Sequence, residues 1–116
     1  MKKAYIVLIL VTLFLTGCSS NNQNNSNNQQ NQVGNYNIEI KDFTFSPLEL
    51  RIKQGETVVW TNNDNVKHTI TSDSGSELNS EQLSKSQTYS HTFNTAGTFN
   101  YHCNLHPSMK AKIIVE

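Results

Sequence analysis

A chain of 116 residues has room for one small domain, which excludes a multidomain enzyme. Nine basic residues balance nine acidic ones, so there is no cationic surplus to attract a nucleic acid. Only 35% of the residues are hydrophobic, a low fraction for a packed domain, but the polar residues responsible are concentrated in one stretch.

Lys2 and Lys3 precede an apolar run from Ala4 to Leu15. The run is too short for the roughly 20 residues of a membrane-spanning helix and has the layout of a secretory signal peptide. Leu15-Thr16-Gly17-Cys18 follows and resembles the lipobox of bacterial lipoproteins, in which cleavage before the cysteine accompanies diacylglycerol transfer to its thiol. Residues 1–17 are therefore expected to be a signal peptide and Cys18 the lipidated first residue of the mature chain. The competing reading is an ordinary signal peptide with an incidental cysteine. Loss of Lys2 and Lys3 leaves seven basic against nine acidic residues, a formal net charge of −2. Residues 19–35 are almost wholly Asn, Gln and Ser, and cannot bury enough apolar surface to offset the entropy of ordering. Together with Cys18 they read as a disordered tether (18–35), reaching about 20–25 Å on average from a membrane.

From Tyr36 to Glu116 the pattern changes to that of β-strands. Ile38 and Ile40 alternate with Glu39 and Lys41, and Leu48, Leu50 and Ile52 alternate with Glu49, Arg51 and Lys53. This period of two marks strands with one buried face. Gln54-Gly55 predicts a turn before a strand from Thr57 to Thr61, Asn62 to Asn65 a polar loop, and His68 to Ser72 a further strand. Asp73 to Ser86 reads as a long Ser-rich connection anchored by Leu78 and Leu83 and including at most a helical turn. Strands over Thr88–Phe93, Thr98–Cys103 and Ala111–Val115 complete an all-β, antiparallel Greek-key sandwich or barrel of about seven or eight strands.

If Cys18 carries lipid, Cys103 is left as a single thiol outside the cytoplasm, where an unprotected thiol is oxidised or mispaired. Cys103, His106 and Met109 stand at i, i+3 and i+6, a spacing that lets one tight loop turn a thiolate, an imidazole and a thioether toward one point. Such soft and borderline donors select copper, and two histidines with a cysteine and a weak axial methionine make a blue-copper site. Strand parity offers His68 as the second imidazole, because it shares a face with Ile70, while Cys103 shares one with Phe99 and Tyr101. By the same parity His102 points outward. His91 is expected to line the core or a pocket, and Trp60 to lie in the core.

The segment Tyr89 to Glu116, containing Ala96-Gly97-Thr98-Phe99-Asn100-Tyr101-His102-Cys103 and the Cys103-x-x-His106-x-x-Met109 loop, resembles the carboxy-terminal third of the cupredoxins of amicyanin and plastocyanin type. The resemblance extends over Tyr36 to Glu116. It implies an eight-strand sandwich with one type 1 copper held by His68, Cys103 and His106, with Met109 axial. Cupredoxins commonly carry Asn after the first histidine and Ser or Thr after the cysteine, whereas Thr69 and Asn104 stand here. The expectation is that the polar pair is exchanged end for end with its brace on the ligand loop preserved.

A dinuclear copper centre would need a second loop cysteine, and a multicopper oxidase a histidine at Asn104. A Cys–His hydrolase lacks an evident orienting carboxylate. The expected function is thus single-electron transfer by a monomer, not enzymatic turnover, on the outer face of a cell membrane to which Cys18 ties it. Transient redox partners would dock beside His106, next to Leu105 and Pro107. The alternative is a surface protein that delivers copper instead of electrons, and zinc could fill the same donors in overexpressed material.

Overall fold

The computed structural model describes residues 34–116, so the signal peptide, Cys18 and nearly all of the tether lie outside the described residues. Eight strands follow in chain order: β1 Asn35–Lys41, β2 Thr44–Ser46, β3 Glu49–Ile52, β4 Thr57–Asn62, β5 Thr71–Ser72, β6 Thr88–Thr92, β7 Gly97–Cys103 and β8 His106–Val115. They form two four-stranded sheets, ordered β2-β1-β4-β6 and β3-β8-β7-β5. The expected all-β sandwich is what folds, with no helix among the described residues.

The sandwich is mixed where an antiparallel one was expected. β1 runs parallel to β4, and β3 parallel to β8. Both pairings become possible because the chain changes sheets between the partner strands, which provides the long connection that parallel neighbours need.

Alternation places the core as the sequence indicated in most strands. Ile38 and Ile40 from β1, Val58 and Trp60 from β4, Tyr101 and Cys103 from β7, and Ile113 and Val115 from β8 all meet between the sheets. Tyr101 is the central ring: Phe45 and Trp60 pack edge-on against it, with centroids 4.9 and 5.7 Å away. Trp60 Nε1–H donates to the Tyr101 hydroxyl at 3.1 Å, so the buried indole keeps a partner. Burial pushes the Tyr101 phenol well above its ordinary range, against the opposing effect of that hydrogen bond. Leu48 departs from the expected buried face: it precedes β3 and is 57% exposed. Leu78 and Leu83 do anchor the long connection, both buried in the core cluster. That connection is extended and irregular, without the helical turn allowed for it.

The strand expected over His68–Ser72 is reduced to the two residues of β5. β4 lies in one sheet and β5 in the other, so residues 63–70 cross between them and cannot pair continuously with either. His68 instead forms an isolated bridge to Leu83, with reciprocal backbone bonds of 3.1 and 2.8 Å. The crossing fixes where the site forms.

Candidate metal centre

β7 and β8 make a hairpin whose last pair is Cys103 with His106, so only Asn104 and Leu105 form the turn. The ligand loop is therefore shorter than the expected Cys103–Met109 stretch, since His106 to Met109 already belong to β8. A register shift between His102 and Cys103 re-aims the end of β7. Cys103 is fully buried, and Met109 belongs to the same buried cluster.

His68 arrives from the crossing segment and is fully buried. Its Nδ1 lies 3.6 Å from Cys103 Sγ, and His106 Nδ1 lies 3.7 Å from the same sulfur. The three donor atoms are within 4.8 Å of one another. A first-row metal with bonds of about 2.3 Å to sulfur and about 2.0 Å to nitrogen separates those donors by about 3.6–3.8 Å. The triangle thus fits a single ion, and a cysteine sulfur with two imidazoles is a donor set suited to copper, to which Met109, buried on the same hairpin, would add a thioether. His68, Cys103, His106 and Met109 are the residues that would hold it.

The groups around these donors are specific. Thr69 N–H donates to Cys103 Sγ at 3.3 Å, which ties the sulfur to the crossing segment. Thr69 Oγ1 accepts the backbone N–H of Asn104 at 2.8 Å. The expected brace is present, but its far end is the main chain of Asn104. The Asn104 side chain turns instead to His102, Oδ1 lying 3.0 Å from Nε2, while the Asp73 carboxylate lies 2.6 Å from His102 Nδ1. His102 faces out of the site, as parity predicts. His91 pairs with Glu77 at 2.7 Å and packs on Phe93, which removes it from the donor set.

Three residues that organise the site escaped the sequence reading. Asp64 Oδ2 lies 2.8 Å from His68 Nε2, which leaves His68 Nδ1 free to face the sulfur. The same carboxylate accepts the N–H of Asp42 at 2.7 Å and of Phe43 at 3.0 Å. Burial acts to raise the Asp64 pKa, but the hydrogen bonds from Phe43, His68 and Asp42, with the charge of His68, outweigh it and hold the group below its ordinary value. Asn62, expected in a polar loop, instead ends β4 and is fully buried. Its Nδ2 donates to the carbonyls of Val66 and Leu83, and its Oδ1 accepts the Asp64 N–H, which folds residues 63–67 back over the site. Phe43 packs against both imidazoles, with ring centroids 5.4 Å from His68 and 4.9 Å from His106. An aspartate four residues before His68 was the one available signal. Nothing in the local sequence pointed to Phe43.

The fold and the geometry agree with the comparisons. Residues 6–115 match the cupredoxin-like domain family. Amicyanin-alpha of Methylorubrum extorquens is 38% identical over 87 residues, covering 72% of this chain and 73% of the relative. Amicyanin of Paracoccus denitrificans is 36% identical over 83 residues, covering 68% of this chain and 63% of that protein, a little under two thirds of its length. Among solved structures, amicyanin from Paracoccus versutus superposes with a TM-score of 0.66 at 35% identity, over 70% of this chain and 80% of the other. A reduced Cu(I) form of an amicyanin variant gives 0.68 at 36% identity, over 72% and 83%.

Proposed function

The chain belongs to the cupredoxin-like family, and from that premise we propose that it is a blue copper protein that shuttles single electrons while tethered to the outer face of a cell membrane. The observation that carries the reading is the closed triangle of His68 Nδ1, Cys103 Sγ and His106 Nδ1, with buried Met109 on the same hairpin. Copper bound there supplies a one-electron Cu(II)/Cu(I) couple. The chain's own residues give that couple its character. Cys103 provides the most covalent donor, and the Thr69 N–H at its sulfur withdraws charge. Asp64 fixes the orientation of one imidazole and the β7–β8 hairpin holds the other. Donors fixed by the fold would let both oxidation states be held with little rearrangement, which favours fast exchange, and with Met109 as a fourth donor no position would be left for a substrate.

His106 is only partly buried, and Leu105 beside it is 42% exposed. Electrons would leave through this edge, into a partner docking weakly on the small apolar surface. Anchoring of a monomeric domain through Cys18 rests on Leu15-Thr16-Gly17-Cys18 and the polar stretch after it. Labelled fatty acid should enter the wild-type protein and not Cys18→Ala.

Cu(II) added to the purified protein should give an intense sulfur-to-copper charge-transfer band toward the red end of the visible spectrum. Cys103→Ser should lack it. A colourless wild-type protein that binds copper elsewhere would overturn the assignment. Repeated oxidation and reduction without metal loss separates electron transfer from copper delivery.

A further inference from the structure

β1 and β2 form an antiparallel hairpin closed by the pair Lys41 and Thr44, so Asp42 and Phe43 are its two turn residues. Their φ angles are +51° and +56°. Two-residue hairpin turns with both centres at positive φ favour Asn-Gly or Asp-Gly, because glycine enters the left-handed region without steric cost. Aspartate tolerates that region, whereas a bulky phenylalanine there is an outlier. The turn alone asks for glycine at position 43, and residues held against their local preference concentrate at functional sites.

The Phe43 ring has a place that glycine could not fill. It stands nearly perpendicular to both imidazoles, at 88° to His68 and 89° to His106, and these two rings are themselves 5.1 Å apart. Three rings thus pack against one another, two of them carrying donor atoms of the triangle. The inner ring, His68, is sealed from solvent, and Phe43, 51% exposed, forms the outer layer. The Asp64 carboxylate links the two levels, since Oδ2 meets both the Phe43 N–H and His68 Nε2.

We propose that Phe43 is a positioning residue for the metal centre: its ring fixes the planes of His68 and His106 and keeps water from their outer side. This rests on the reading that the two histidines hold copper. An apolar cover also keeps the local dielectric low, which disfavours the more highly charged oxidation state and raises the potential.

The test compares wild type with F43G, F43A, F43L and F43W, each as apo-protein and with copper. In apo wild type, nuclear Overhauser contacts should join the Phe43 ring protons to imidazole C–H protons of both histidines. F43G, F43A and F43L should show increased imidazole mobility, and F43W should restore wild-type behaviour. With copper, F43G and F43A should have a lower potential and faster relaxation of water protons by Cu(II). They should also lose copper to a chelator about three- to tenfold faster, the factor corresponding to one aromatic contact. Because glycine suits this turn, the melting temperature of apo F43G should stay close to wild type, so these changes are not a sign of unfolding. Equal water relaxation and copper loss in F43G and wild type would overturn the proposal, as would wild-type imidazole mobility in F43L. If wild type takes up no copper, the functional reading fails, while the apo measurements still decide whether Phe43 positions the two rings.

Discussion

Thr69 Oγ1 accepts the backbone N–H of Asn104 at 2.8 Å, while Thr69's own N–H points at Cys103 Sγ. One residue next to the first histidine therefore ties both the ligand hairpin and the sulfur to the crossing segment. Thr69→Ala keeps the N–H but leaves the Asn104 N–H without its acceptor, at a cost of about 1–2 kcal/mol. Its copper affinity and potential should both change. Asn104→Ala should leave them near wild type, because the brace uses the main chain at 104. Competition with a copper chelator and voltammetry read the two variants, and the opposite ranking would place the brace in the Asn104 side chain.

Asp64 joins two elements far apart in sequence, the β1–β2 turn and His68. Asp64→Ala leaves two turn N–H groups unpaired and His68 Nε2 without its acceptor. Loss of such an outer partner costs about 10–100-fold in metal affinity. Asp64→Asn retains one acceptor oxygen and should fall between wild type and Asp64→Ala. Chelator competition at fixed pH measures the order, and an unaltered affinity in Asp64→Ala would show that the protein packing alone orients His68.

These two relationships mark where the sequence stops being informative. Period-two alternation located most of the strands, and the Cys103-x-x-His106-x-x-Met109 spacing offered three candidate donors, of which Cys103 and His106 meet in the triangle, because both are local patterns. His68 followed from parity with Ile70, and both are buried, although its segment is a crossing and not the strand assumed. The parallel pairings and β2 were not legible: β2 has three residues, and Phe45 is the buried one. Asp64 and Phe43 gain meaning only when residues 42–43 and 64 come together across about twenty positions. Position 43 is hardest of all, since the turn there lacks the glycine that would announce it.

The Trp60–Tyr101 bond lies in the core next to the centre without belonging to it. Tyr101→Phe removes the acceptor and leaves the indole N–H buried and unpaired, costing about 1–3 kcal/mol. At about 4–8 °C per kcal/mol for a domain of this size, the loss is visible in thermal melts. Trp60→Phe should cost more, through lost volume as well as the stranded hydroxyl. The double variant should cost less than the sum, because the second change removes the group that the first left unpaired. The charge-transfer band should keep its position in all three. Strict additivity would mean that the bond contributes nothing beyond packing.

Glu56 supplies the pH dependence. Its carboxylate accepts the Lys53 N–H at 2.7 Å across the turn before β4. That bond is the main cause of a lowered pKa; burial opposes it, and bonds from the Tyr36 hydroxyl and the Gly34 N–H add to it. A pKa lower in the folded than in the unfolded chain means that the folded form binds fewer protons. The stabilisation is therefore complete above the unfolded value of about 4.3 and is lost as pH falls through the lower folded value. Tyr36 shifts oppositely: the same hydrogen bond, with burial and the Glu56 charge, raises its phenol, so ionising it at high pH works against folding. Glu56→Gln should flatten the acid side of a plot of melting temperature against pH and leave the copper band unchanged, because the turn lies outside the donor triangle. An acid limb as steep as in wild type would assign that limb to other carboxylates.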